Sequence, residues 1–329
     1  MTTPISILDL VRITQGNDAR VALDRARALA LHAEKLGYTR YWVAEHHNMP
    51  GIASAATSVA ISHIAAGTST IRVGAGGIML PNHSPLVIAE QFGTLAALFP
   101  DRIDLGLGRA PGTDQVTLRA LRRTNESADS FPQDVLELQA YLAPAREGQR
   151  IMAVPGVGTE VPLWILGSST YGAQVAAEFG MPYAFASHFA PTALDMALEV
   201  YRARFKPSRQ QAKPHAMVGV NIIAADTDAE ARRLATTQQM SFADMFRGAR
   251  RLSQPPIDDI EQYWSPAEKM QAMNMLSCSI VGSPDTVRAG IDALIERTRA
   301  DELMIVSDVY DEQARHYSYE LIARLGLGE

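Results

Sequence analysis

Short apolar runs alternate with longer amphipathic segments along the chain, and this alternation constrains the fold more than any other feature. Runs of this length, rich in branched and aromatic residues, are typical of buried strands. They span residues 5–8, 40–44, 71–76, 103–107, 163–166, 183–186, 217–224 and 302–307. Helical spacing of apolar residues covers 18–36, 54–66, 85–99, 171–179, 192–205, 228–241, 285–298 and 312–325. Such alternation predicts a parallel sheet, and eight units in 329 residues favour a closed (β/α)₈ barrel.

Two segments interrupt this rhythm, near residues 111–161 and 242–279. Both contain long polar or proline-bearing stretches and little strand pattern, so we expect loop insertions in a single domain that spans residues 1–329. Long ordered loops in a compact domain often form lids or binding loops.

Composition limits the possible partners. With 47% hydrophobic residues the chain can bury a large core, and its net charge of −6 argues against non-specific nucleic-acid binding. Cys278 is the only cysteine, which excludes an intramolecular disulfide and metal sites built from several thiolates. The first residues resemble no secretory signal, and no apolar stretch is long enough to span a bilayer. We therefore expect a cytoplasmic protein without a nucleic-acid or membrane partner.

A titratable cluster, Glu45, His46 and His47, follows the predicted strand 40–44 directly. It should lie at the carboxyl end of that strand, where barrels carry out chemistry. An imidazole there could position or protonate a bound group. A carboxylate with imidazoles could also bind a metal ion, or the cluster could simply satisfy the end of a strand.

Glycines at positions 74, 76 and 77 end the third strand. They permit close approach of a flat aromatic ligand to the backbone, or they form a tight bend of the barrel. Arg109 lies in a glycine-rich segment, residues 106–112, after the fourth strand. Its guanidinium is suited to a phosphate, the alternative being a salt bridge to Asp104 or Asp114.

Gly167, Ser168, Ser169 and Tyr171 lie between the fifth strand and a helix, together with another hydroxyl residue at position 170. Hydroxyls beside a helix N-terminus are suited to binding an anion, although a serine there is also an ordinary helix cap. No lysine follows as in a P-loop, so a nucleoside triphosphate is not expected. His188, after the sixth strand, could contact the same ligand or merely be hydrogen-bonded.

Together these motifs resemble the bacterial luciferase-like family of flavin monooxygenases, in particular its single-chain members. The resemblance covers residues 5–325 and depends on the motifs at 37–47, 76–81, 99–109, 166–169, 281–287 and 301–304. The family implies a (β/α)₈ barrel with FMN at the strand carboxyl ends. By position, Gly76 and Gly77 would form a cis peptide against the isoalloxazine. Arg109, with the two serines, would bind the phosphate.

The resemblance further implies that His46 is catalytic and is flanked by Glu45 and His47. Reduced FMN would react with O₂ to a C4a-(hydro)peroxyflavin that oxidises a small organic substrate. No nicotinamide fingerprint is present, so a separate flavin reductase would deliver the reduced flavin. Gly108 stands where light-emitting members have a reactive cysteine, which argues against light emission.

Other functions remain open at this point. Relatives that use the deazaflavin F420 for hydride transfer would need the same phosphate contacts, and a flavin-binding protein without turnover is a further alternative. A metal-dependent hydrolase is disfavoured because adjacent residues such as His46 and His47 diverge on an extended strand, and we expect no metal. Residues 54–66, rich in small side chains, lie in a helix through which this family usually forms homodimers.

Overall fold

A closed barrel of eight parallel strands forms the centre of the computed structural model, which describes residues 3–110 and 114–326. Its strands are β1 (Ile5–Asp9), β2 (Arg40–Val43), β3 (Arg72–Met79), β4 (Ile103–Gly108), β5 (Leu163–Gly167), β6 (Tyr183–Phe185), β7 (Ala216–Ala224), β8 (Ile280–Gly282) and β9 (Glu302–Val306). Neighbours follow chain order from β1 to β7, and β9 closes the ring between β7 and β1. The eight predicted strands and the (β/α)₈ barrel are thus confirmed.

The short strand β8 was not predicted. It pairs in parallel with the last residues of β7, from Ile222 to Ala224, beyond the part of β7 that contacts β9. It therefore extends the barrel wall at the carboxyl end without entering the ring.

Helices surround the barrel: α1 (Ala19–Lys35), α2 (Thr57–Ala65), α3 (Pro85–Leu98), α4 (Gln115–Ala120), α5 (Phe131–Leu142), α6 (Thr170–Phe179), α7 (Leu194–Arg204), α8 (Asp228–Arg247), α9 (Pro266–Met275), α10 (Pro284–Thr298) and α11 (Glu312–Arg324). The eight predicted helices are present, with α8 extending to Arg247. Helices α4, α5 and α9 lie in the segments that we expected to be loops.

Helix α5 shows why part of the first segment does not behave as a loop. Phe131, Val135, Leu138 and Leu142 are spaced for one helical face, and all four are buried in the core against the barrel. Residues 131–142 therefore supply the helix that follows β4. The remaining described part of this segment begins at residue 114, so the Pro111 and Gly112 of the glycine-rich motif lie outside the described residues.

The inside of the barrel is filled below the carboxyl end. Trp42 and Trp164 meet edge to face with ring centroids 5.2 Å apart, packed among Leu8, Met217 and Met304. The filled interior leaves the carboxyl-end rim as the place where a ligand can meet the strands.

Buried charges lie nearer the amino end of the barrel and on its outer wall. Arg40 bridges Asp104 and Glu302 at 2.8 Å each. On the outside, Arg315 of α11 forms an ion pair with Asp9 of β1 at 2.9 Å. Burial raises the pKa of Asp9, but the Arg315 charge and hydrogen bond outweigh it and leave the pKa below its ordinary value.

Among the described residues, no helix combines the length and apolarity needed to cross a membrane.

Candidate functional site

The cluster that follows β2 divides between two sides of the barrel wall. Side chains alternate along extended backbone, and Trp42 and Ala44 belong to the interior cluster. The same alternation directs His46 toward the rim of the lumen, where it lies near Arg12 and His188. It directs Glu45 and His47 to the other side, where Glu45 meets His83. Glu45 and His47 contact each other directly, with 2.6 Å between Oε1 and Nε2.

Glu45 is the centre of a hydrogen-bonded group outside the lumen. Its side chain is 1% exposed, and its Oε1 also lies 2.8 Å from His83 Nε2. Its Oε2 accepts a hydrogen bond of 3.1 Å from the Met79 main-chain N–H. Burial raises the pKa of Glu45, but the hydrogen bonds from His47 and His83 outweigh burial and hold the pKa at about 2. The carboxyl group is therefore ionised at neutral pH.

Two imidazoles, His46 and His188, face the rim of the lumen, and burial favours their uncharged forms. Burial, together with the smaller effect of the nearby Arg12 charge, lowers the pKa of His46 to about 4. Burial also lowers the pKa of His188 to about 4, with an additional contribution from the charge of His46. Both side chains are neutral at pH 7, and the Nδ1 atom of each is buried without a hydrogen-bond partner among the described residues.

A polar chain from β7 and α8 holds the loop that carries His188. Asn221 donates a 2.5 Å hydrogen bond to the His188 carbonyl oxygen, and Gln238 donates at 2.8 Å to the Asn221 side chain. Gly219 makes room for the ring, because a Cβ atom there would lie 2.6 Å from His188 Nδ1. The orientation of His188 thus depends on residues far away in sequence.

Glycines form the β3–β4 side of the rim. A Cβ atom on Gly76 would lie 2.7 Å from Leu8 Cδ1 and 3.1 Å from Trp42, and one on Gly106 would lie 2.2 Å from the Ala75 carbonyl oxygen. The peptide bond between Gly76 and Gly77 is cis, as the resemblance implied. The lack of side chains at Gly76 and Gly106 therefore permits close packing of the neighbouring strands and side chains.

Arg109 lies beside the start of α6. Its guanidinium carbon is 4.4 Å from the centre of the Tyr171 ring, and its side chain is 43% exposed. The nearest described carboxylate is Asp129, at 3.8 Å. The alternative salt bridges expected from sequence do not form, since Asp104 pairs with Arg40 and Asp114 with Arg250.

The hydroxyl residues before α6 do not act as its cap. Ser169 occupies the N-cap position in extended backbone, yet its side chain makes no capping hydrogen bond. Gly167 packs against Gly172 and Tyr183, where a Cβ atom would lie 3.3 Å from both the Gly172 Cα atom and the Tyr183 hydroxyl oxygen. The N-terminal amides of α6, the serine hydroxyls and Arg109 are thus gathered at one place that can receive an anion.

The second long segment reaches the same rim. Arg250 forms an ion pair with Asp114 and donates a 3.2 Å hydrogen bond to the Asn48 carbonyl oxygen, while Asn48 donates at 2.9 Å to Thr117. These contacts connect the loops that follow β2, β4 and α8. Both long segments therefore lie beside the loop that follows β2.

Several rim residues escaped the sequence reasoning. His83 lies in a polar loop, residues 81–85, that carried no site residue in the prediction, although its proline brackets and rim position were a usable signal. Arg12 and Asp308, an ion pair of 2.9 Å, and Asn221 gave no local signal. Their roles depend on contacts between loops that are distant in sequence.

Known proteins of one family match nearly the whole chain. A protein-family model described as luciferase-like monooxygenase matches residues 3–302. A luciferase-like monooxygenase of Escherichia coli K12 is 52% identical over 321 residues, which cover 97% of this chain and 96% of that protein.

Solved structures show the same fold. That of apo-MsnO8 is 35% identical with a TM-score of 0.87 and covers 98% of both chains. The oxygenating constituent of 3,6-diketocamphane monooxygenase from Pseudomonas putida, a type II Baeyer–Villiger enzyme solved with FMN, is 19% identical with a TM-score of 0.71. That match covers 98% of this chain and 97% of the other.

Proposed function

This chain belongs to the luciferase-like monooxygenase family, and on that premise we propose that it is an FMN-dependent monooxygenase acting on a small organic substrate. The observation that carries the proposal is the group formed by Arg109, Tyr171 and the uncapped start of α6. Reduced FMN would supply the electrons with which dioxygen is activated. The two electron donors that dioxygen oxidises would then be the reduced flavin and the substrate.

The phosphate of FMN fits this group of residues. A terminal phosphate carries close to two negative charges and accepts hydrogen bonds from a guanidinium, hydroxyls and helix N-terminal amides alike. Stacking on Tyr171 limits the orientations of the Arg109 side chain, and its partial exposure leaves it accessible. Ser168 and Ser169 would add hydroxyl donors.

The rim of the lumen fits a flat ring system. Gly76 and Gly77 carry no side chains, so no Cβ atom projects from these strand-end positions toward a planar ligand. His46 and His188 are neutral at pH 7 and have unpaired Nδ1 atoms, so each can donate or accept a hydrogen bond. We assign His46 to hold or move a proton at the reacting centre, with Glu45 and His47 supporting the loop beside it, and His188 to contact the ligand.

The wider assembly is part of the same proposal. A separate flavin reductase would deliver reduced FMN, because the sequence has no nicotinamide fingerprint. The chain would form a homodimer, supported by exposed apolar residues on neighbouring helices, Val59 on α2 and Leu98 on α3, at 68% and 60% exposure. Light scattering at micromolar concentration tests this. A cytoplasmic location is consistent with the single cysteine.

Titration with FMN and with riboflavin, followed by flavin fluorescence, tests the phosphate site. Arg109→Ala should weaken FMN binding by about 1.5–3 kcal/mol, the usual contribution of a hydrogen bond to a charged group, and should leave riboflavin binding unchanged. Arg119→Ala is the matched control, since it removes the same charge from an exposed position of α4. Equal losses for both flavins would give Arg109 a structural role and remove the main support for FMN.

A second experiment separates an oxygenase from other functions of this fold, which F420-dependent enzymes also adopt. His46→Ala should keep most of the FMN affinity and lower oxygen-dependent turnover by roughly 10²–10⁴-fold, the usual scale of acid–base catalysis. Tight binding of F420 and not FMN would favour the hydride-transfer alternative. Unchanged flavin oxidation in wild type and variant would favour a protein that only binds flavin.

A further inference from the structure

We propose that Glu45, His47 and His83 form a binding site for one divalent transition-metal ion, such as Zn²⁺, on the outer side of the barrel rim. This site is separate from the flavin site proposed above and does not depend on it. From the sequence, a metal ion is considered only for Glu45, His46 and His47. The ligand set proposed here replaces His46 with His83, which comes from a different loop.

The three potential ligand atoms already lie close together. Glu45 Oε1 is 2.6 Å from His47 Nε2 and 2.8 Å from His83 Nε2, and each residue's ligand atom lies within 4.8 Å of the others. Ligand atoms bound at about 2.0–2.2 Å to a tetrahedral ion lie a little over 3 Å apart, so only small side-chain movements are needed. No other group of three such side chains meets this geometry within the described parts of the chain.

The charge at this place also favours a cation. The Glu45 side chain is buried, and an isolated buried carboxylate is costly. Among the described residues no lysine or arginine forms an ion pair with it; its charged or polar side-chain partners are the two histidines. A divalent ion would compensate the carboxylate charge directly and would accept the lone pairs of both imidazoles.

Two features hold the set in place while leaving it reachable. The Met79 N–H donates to Glu45 Oε2, so one carboxylate oxygen is held by the main chain while the other, Oε1, faces both imidazoles. His47 and His83 are 16% and 26% exposed, so an ion can enter from the solvent side. The site joins the loop after β2 to the loop after β3.

The ligand set indicates the kind of ion. Two imidazole nitrogens with one carboxylate oxygen suit Zn²⁺ and other first-row divalent ions, whereas Ca²⁺ and Mg²⁺ require mostly oxygen ligands. Three protein ligands leave at least one position for water or another small ligand. A bound ion would replace the hydrogen bonds between Glu45 Oε1 and the two Nε2 atoms, and a neutral imidazole that binds through Nε2 carries its proton on Nδ1.

Metal content and a spectroscopic probe test the site directly. Chelator-stripped wild-type protein, dialysed against micromolar Zn²⁺ and then against buffer, should retain about one Zn²⁺ per chain by elemental analysis. Co²⁺ added to the stripped protein should give the visible absorption bands of a nitrogen- and oxygen-ligated ion. His83→Ala and His47→Ala should each weaken Zn²⁺ retention at least about tenfold. Even removal of a residue that only hydrogen-bonds to a metal ligand lowers metal affinity by about this factor.

His46→Gln is the matched control, because it removes a neighbouring imidazole that points toward the lumen; it should retain Zn²⁺ as wild type does. Circular dichroism of each variant checks the fold, and the wild-type Co²⁺ spectrum decides the question if a variant does not fold. The proposal is overturned if stripped wild type retains no Zn²⁺ and gives no Co²⁺ bands, or if His83→Ala binds as tightly as wild type. Neither readout uses FMN or turnover, so failure here leaves the proposed monooxygenase function untouched.

Discussion

Replacing His46 with Gln should make the protein less sensitive to acid. Burial and the Arg12 charge lower the pKa of His46 from its ordinary value of 6.5 to about 4 in the folded chain. In the unfolded chain the imidazole takes up a proton once the pH falls below about 6.5, whereas the folded chain takes it up only near pH 4. Acidification through this window therefore stabilises the unfolded state, and stability rises again with pH.

The size of the effect follows from these two values. The full difference between them corresponds to about 3 kcal/mol, which is reached only below pH 4. Between pH 7.5 and pH 5 the linkage relation gives a loss of about 2 kcal/mol for one such histidine. His188, whose pKa is also lowered to about 4, should add a similar loss.

Urea unfolding at pH 7.5 and at pH 5.0 measures this difference for wild type and variant. In His46→Gln the free energy of unfolding should fall by about 2 kcal/mol less between the two pH values than in wild type. Met49→Gln, an exposed change in the same loop that removes no titrating group, should keep the wild-type difference. If the free energy of unfolding of His46→Gln fell between the two pH values by as much as that of wild type, the folded imidazole would titrate normally. The assignment of His46 as a neutral, buried base would then be refuted.

The remaining predictions concern packing and buried charge. Gly76→Ala should destabilise the protein by about 1–3 kcal/mol in urea unfolding, because the new methyl group meets movable side chains. Gly106→Ala should cost more, because its methyl group meets a main-chain oxygen. Negligible costs for both variants would contradict the close packing around these glycines. Arg315→Met should cost about 3–5 kcal/mol, since it leaves the Asp9 carboxylate buried and unpaired. Arg324→Met, which removes an exposed ion pair from the same helix, should change stability by less than about 1 kcal/mol, and a similar loss in both variants would argue against the buried-pair explanation.

The sequence alone determined the architecture of this protein. Apolar runs with strand and helix periods alternate so regularly that eight strands and eight helices could be predicted, and the barrel follows from their number. Local pattern also placed Glu45, His46 and Arg109 at strand ends, where the rim of a barrel must lie. Helix α5 could have been found as well, because its buried face repeats at helical spacing; polar residues around it concealed the pattern.

Only the tertiary structure decided how the rim residues divide. Adjacent positions such as His46 and His47 diverge on extended backbone, but which neighbours each one meets depends on loops from other strands. His83 joins Glu45 from a separate loop, and the backbone packing around Gly219 makes room for His188. Burial and the neighbouring groups then set different protonation states for the rim residues: the carboxylate outside the lumen is ionised, whereas the imidazoles within it are neutral. Desolvation and nearby charge, which cause this difference, exist only in the assembled barrel.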